Sequence, residues 1–152
     1  MKLITLALLV FAAACTSVRP GVNITEDSWS AEFDASAENG VGGRVSVGQV
    51  QLPEQWEEGS TNRFAGGVFW RAYVWKGLYL EPRMEVALYP VLGTPYELEA
   101  GLRLGYTYKD FSVHLGVSRP LGNGNNHEDE GEYTHIPSGW KPEVGLDFTW
   151  RW

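Results

Sequence analysis

The sequence predicts an all-β fold, an antiparallel up-and-down transmembrane β-barrel of eight strands. Three observations predict it. Apolar and polar residues alternate through a series of runs separated by turn residues, and no helical period appears after the first 15 residues. The cations in the middle of those runs are all arginine. The final nine residues, Val144-Gly-Leu-Asp-Phe-Thr-Trp-Arg-Trp152, alternate strictly onto a ring at the last position.

The chain starts with a basic n-region, Met1-Lys2. An apolar stretch from Leu3 to Phe11, broken only by Thr5, and the small residues Ala12-Ala13-Ala14 follow. That stretch is too short to span a bilayer as a helix, so residues 1–14 read as a removable signal peptide and 15–152 as the barrel domain. Cys15 is the only cysteine, which excludes an internal disulfide. Phe11-Ala-Ala-Ala-Cys15 resembles a bacterial lipobox, although that family usually carries Leu where Ala12 stands. The resemblance implies a diacylated Cys15 as the first mature residue, and Thr16 in place of Asp implies sorting to the outer membrane. The alternative is ordinary cleavage after Ala14 with Cys15 unmodified.

Cleavage before Cys15 leaves 138 residues (152 minus 14), enough for one domain. Loss of Lys2 takes the net charge from −7 to −8, which with no basic patch excludes a nucleic-acid binder. Aromatics at 13% and 18 glycines suit strands and turns better than a helical bundle.

The strands follow in order. Val18, Pro20, Val22 and Ile24 alternate with Arg19, Gly21, Asn23 and Thr25; this run is short and carries a proline, yet an even strand count requires it. Trp29 to Ala37 alternate with Ser30 to Glu38, and Asn39-Gly40-Val41-Gly42 turns the chain into Arg44–Val47. Near Gly48 the apolar parity shifts to Val50 and Leu52, which predicts a β-bulge. Phe64 to Trp75 carries a single charge, Arg71, expected to face inward. After Lys76-Gly77, Leu78 to Leu88 alternate with Tyr79 to Tyr89, and Pro82 predicts a second bulge or a locally broken pairing because it cannot donate to a ladder. Tyr96 to Tyr108 is the clearest run. Lys109-Asp110 leads into Phe111–Ser118, and a Gly/Asn/acid-rich loop from Pro120 to Ser138 precedes the closing strand.

Connections then fall into two sets. Asn39–Gly42, Lys76-Gly77 and Lys109-Asp110 are short. Those near Glu26 and at Pro53–Asn62, Pro90–Pro95 and Pro120–Ser138 are expected to be the longer, outward loops.

Periodicity alone leaves open a soluble lipocalin-like calyx with its apolar face inside. Charge placement favours the membrane barrel. Arg44, Arg71, Arg83, Arg103 and Arg151 lie within strands, whereas Lys76, Lys109 and Lys141 lie at strand ends or turns. The rigid guanidinium fork suits a confined carboxylate network, here Glu32, Asp34, Glu38, Glu81, Glu85, Glu97, Glu99 and Asp147. Aromatics gather at strand ends as girdles: Trp75, Tyr79, Tyr106, Tyr108, Phe111, Trp150 and Trp152 at one rim, and Trp56, Tyr89, Tyr96 and Trp140 at the other. From Val18 to Trp152 the chain resembles the small outer-membrane β-barrels of the OmpA/OmpX-like class. The resemblance implies fold, Gram-negative outer-membrane location and an assembly signal at Phe148, Trp150 and Trp152 read by the barrel-assembly machinery.

Two groups of residues carry candidate chemistry. Ser112 and His114 share one strand face, and Glu97 or Glu99 on the next strand is placed to orient the ring. Small outer-membrane lipid A deacylases use a His-x-Ser pair; here the order is reversed and the pair faces the lumen, so a hydrogen-bonded lumen histidine is the plainer reading. His127, Asp129 and His135, with Glu128, Glu130 and Glu132, have the residue types of a divalent-cation site, and a solvated acidic loop is the alternative. No cofactor is expected. The sequence therefore points to a non-enzymatic envelope barrel with a structural, adhesion or envelope-interaction role, meeting lipid, lipopolysaccharide or an external protein through its loops. A lipid A-modifying enzyme and a soluble lipoprotein binding an apolar ligand are the alternatives.

Overall fold

Strict alternation gives each strand one polar and one apolar face, and the chain closes those strands into a cylinder with the polar faces inside. The computed structural model describes residues 16–51, 59–89, 96–124 and 140–151. The strand segments are β1 (Ser17–Thr25), β2 (Ser28–Ser36), β3 (Val41–Gln51), β4 (Ser60–Trp70), β5 (Ala72–Trp75), β6 (Leu78–Leu88), β7 (Tyr96–Tyr108), β8 (Phe111–Gly124), β9 (Lys141–Phe148) and β10 (Trp150–Arg151). β4 and β5 are one barrel strand interrupted at Arg71, and β9 and β10 are one interrupted at Thr149. The ten segments thus make eight antiparallel barrel strands, and β1 closes the cylinder against β9 and β10. Despite Pro20, β1 pairs with β2 from Ser17↔Ser36 to Ile24↔Trp29.

The short turns need left-handed backbone, supplied at Gly40 (φ 83°), Lys76 (φ 30°), Gly77 (φ 93°) and Lys109 (φ 53°). These turns and both ends of the described chain lie at one rim, the turn end; the other rim is the loop end. The connection at Glu26-Asp27 lies at the loop end but is as tight as the turns, which differs from the sequence expectation.

Both expected bulges are absent. Register runs unbroken through Gly48 and through Pro82, which pairs with Leu102 and faces outward. The parity change in β3 is one of polarity only: Gln49 faces out, and Val50 turns in to join Ala65, Ala87 and Tyr89 in a small apolar cluster. The irregularities fall instead at Val74, beside a tight turn, and at Leu121, where β8 has one residue more than β7. β8 also runs to Gly124, so the last loop starts later than Pro120.

The calyx alternative requires an apolar interior, and the facing is the reverse. Leu102, Leu104, Leu115 (66% exposed) and Leu146 (61%) point out, while Arg83 and Arg103 are buried inside. An apolar belt of this size has no stable place in water and belongs in hydrocarbon.

Large inward side chains fit because glycines sit opposite them. Gly105 pairs in register with Tyr79, whose ring occupies the space a Cβ would need; Gly145 stands in the same relation to His114, Gly101 to Arg83, and Gly67 to Glu85. Gly116 makes room for both Arg103 and Glu143. A Cβ added at outward-facing Gly66 would meet only the Arg44 carbonyl oxygen, at an ordinary contact distance of 3.8 Å. Gly105→Val is therefore expected to lower stability in lipid vesicles by about 1–3 kcal/mol through overpacking, read by urea unfolding. Gly66→Val is expected to stay within about 0.5 kcal/mol of the parent.

Candidate functional site

Eight strands enclose a space only wide enough for side chains, so the inward charges of opposite walls meet. Arg103, fully buried on β7, forks onto Glu32 of β2 with bonds of 2.9 and 2.8 Å. Its Nε donates to Glu143 of β9 at 2.8 Å. Arg44 of β3 makes the same two-pronged contact with Asp34 on the adjacent strand, at 2.6 and 2.7 Å. It also reaches Glu81 at 2.8 Å and Glu85 at 3.3 Å. Arg71, at the break between β4 and β5, donates to Glu81 at 2.6 Å and to Asp147 at 3.3 Å. Arg83 bonds Glu143. Nearer the loop end, Arg63 bonds Glu99 at 2.8 Å.

Most of these contacts run between different strands, so the network ties opposite walls of the barrel together. Six arginines (19, 44, 63, 71, 83 and 103) face eight carboxylates (32, 34, 81, 85, 97, 99, 143 and 147). Aromatic rings extend it: the Arg71 guanidinium lies 4.1 Å from the Tyr79 centroid, and the Phe69 ring lies 5.5 Å from the Arg19 guanidinium and 5.2 Å from that of Arg44. A recess of about 30 Å³ lies at the loop end, with Asn23, Ser30, Arg63, Glu99 and Glu143 in its wall. It has room for a water or two.

Of the residues singled out from the sequence, Arg71, Glu81, Arg83, Glu85, Glu97, Glu99, Arg103 and Asp147 all face inward. Glu97 accepts a bond from the Tyr89 hydroxyl at 2.9 Å rather than from an arginine. Arg151 and Glu38 are corrections: both are exposed at the turn end, because Arg151, which pairs with inward-facing Ser17, sits at the rim beyond the lumen network and Glu38 lies in the turn itself. Tyr79 and Tyr89 are corrections too, since both are buried inside rather than set in a girdle.

Ser112 and His114 face the lumen together but do not bond each other. Ser112 Oγ lies 2.9 Å from Thr107 Oγ1, and neither ring nitrogen of His114 has a hydrogen-bond partner. His114 pairs in register with Gly105, whereas Glu97 and Glu99 pair with Asn123 and Pro120 far along the strand. The nearest carboxylate to the ring is that of Asp147, at 3.9 Å. Phe148 and Trp150 face outward, and the Phe148 ring meets Phe111 edge-on at 5.2 Å. Cys15, Trp56, His127, Asp129, His135 and Trp152 lie outside the described residues.

Arg63 and Glu143 are inward residues just outside the alternations read from the sequence: Arg63 lies one residue before the expected start of its strand, and Glu143 one residue before the terminal alternation. Extending each alternation by one residue recovers both. Arg19 already stands on the polar face of the first run, and it donates to Ser36 at 3.0 Å.

Removing Arg103 leaves Glu32 without its two-pronged partner in a water-poor interior. Arg103→Leu is expected to cost about 3–5 kcal/mol of unfolding free energy in vesicles. The double variant Arg103→Leu, Glu32→Leu is expected to regain a substantial part of it, since Glu143 keeps Arg83. Equal losses in the single and double variants would contradict the pairing.

No family model and no curated protein matches the sequence. Solved structures do. The N-terminal β-barrel domain of Pseudomonas aeruginosa OprF is similar with a TM-score of 0.55 and 10% identity, over 90% of this chain and 98% of that one. The de novo designed TMB2.3 is similar with a TM-score of 0.55 and 15% identity, over 89% of this chain and 94% of that one. At these identities the likeness concerns the fold alone, a closed eight-stranded antiparallel β-barrel.

Proposed function

We propose that this chain is an outer-membrane barrel of a Gram-negative envelope, tethered by lipid at Cys15, that works through its loop end. The role is adhesive or cohesive, joining the outer surface to lipopolysaccharide or to an external protein, and solutes do not pass through it. The observation that carries this reading is the filled interior. Arginines and carboxylates occupy the lumen from wall to wall, so the barrel body has no passage to offer and the exposed surface left for function is at the rims. The lipobox-like segment ending at Cys15 supports the tether, and a lipid there would lie at the foot of β1, which starts at Ser17.

The Cys15→Ala chain, extracted from membranes, is expected to migrate differently before and after boiling on a detergent gel, and to lose incorporation of labelled palmitate. In planar bilayers the full chain is expected to give no stable conductance steps. Replacing residues 125–139 with a short turn is expected to preserve the gel shift while reproducing the adhesion or envelope-integrity defect of cells lacking the protein. Steady conductance, or full function without that loop, would overturn the proposal.

A further inference from the structure

We infer that Arg119 and Trp140 form a binding site for the phosphate of an outer-leaflet glycolipid headgroup; this rests on the outer-membrane reading above. On β8 the outward face reads Phe111, Val113, Leu115, Val117, Arg119 and Leu121. Five of the six are apolar, and the exception is a full positive charge pointing toward the lipid. Among the described strand residues no other charge stands on the outward face; Arg151, exposed at the turn-end rim, shares the register of inward-facing Ser17.

Depth decides what Arg119 meets. Phe111 stands at the turn-end girdle with Phe148 and Trp150. Eight residues at about 3.3 Å each, on a strand tilted by roughly 40°, carry the chain about 20 Å along the membrane normal. The apolar band of such barrels is about 25 Å tall. The backbone of Arg119 therefore lies just below the outer edge of the hydrocarbon, and its long side chain reaches the headgroup layer.

Trp140 marks the same level from β9's end of the loop. It is exposed, and its ring centroid lies 5.8 Å from the Arg119 guanidinium carbon. An indole at that level is an interfacial anchor, and its face holds the guanidinium plane in place. A restrained planar fork at a membrane surface matches a phosphate through two parallel N–H···O bonds. Phosphate on a glycolipid is the anion found at that depth when the loop end faces out.

The test uses the full chain in detergent, with bis-phosphorylated lipid A as the probe and native mass spectrometry counting bound copies. Arg119→Gln is expected to weaken retention about tenfold, the effect of one lost charge-assisted contact. Arg119→Lys is expected to retain part of it, Arg151→Gln to leave it unchanged, and dephosphorylated lipid A to bind the parent no better than lipid A binds Arg119→Gln. The boiled and unboiled gel shift of each variant confirms a closed barrel. Equal retention by the parent and Arg119→Gln, or by the two lipid A forms, would overturn the site while leaving the membrane-barrel reading standing. A parent chain that shows no gel shift would instead overturn the reading beneath it.

Discussion

Inside an eight-stranded barrel there is no bulk water to solvate a charge and no space to swing it away, so each inward ionic group must be met by another. That constraint organises the molecule. Arg103 bridges β7, β2 and β9, while Arg71 from the adjoining strand and Arg44 from two strands away converge on Glu81. Desolvating so many ions is costly, and their attraction offsets that cost only while the geometry holds. The network is therefore better regarded as fixing one register and one closed shape than as a source of net stability. A strand slipped by one residue would send its arginines into lipid and its leucines into the lumen.

The glycines are the complement of the charges. Large inward groups on one strand sit over glycines on the next, so Tyr79, Arg83, Glu85 and His114 each have a socket in the adjoining wall. The small lumen thus holds big side chains without spreading the strands. Outside, the same alternation presents valine, leucine and aromatic side chains in a belt, and hydrocarbon supplies the burial that a soluble domain gets from its own interior. Arg119 interrupts that belt only where the belt ends.

Much of this was legible in the sequence because facing in a barrel is a two-residue period with few exceptions. Arg71, alone in an apolar run, could only be an inward charge, and Arg103 with its glycine neighbours marked the lumen side of β7. Polarity misled where an apolar residue turned inward. Val50 suggested a slip in β3, but it joins Ala65, Ala87 and Tyr89 in the loop-end cluster, and the ladder never breaks. Tyr79 and Tyr89 were misplaced for a related reason, since an aromatic near a strand end fits a girdle as well as a lumen socket. Partner choice was beyond reach altogether. That Arg103 takes Glu32 across 71 positions of sequence depends on shear around the barrel, which no local pattern encodes.

Which face meets lipid is the claim beneath every other one, and spin labels along β8 address it directly. Single cysteines placed in a Cys15→Ser background at positions 113, 115 and 117, and at 112 and 118, can be scored in vesicles for collision with oxygen, which concentrates in acyl chains. The account predicts high oxygen accessibility at the first three positions and low accessibility at the other two. High accessibility at 112 and 118 with protection at 113, 115 and 117 would mean that the barrel is inside out, and the charged interior described above would not exist.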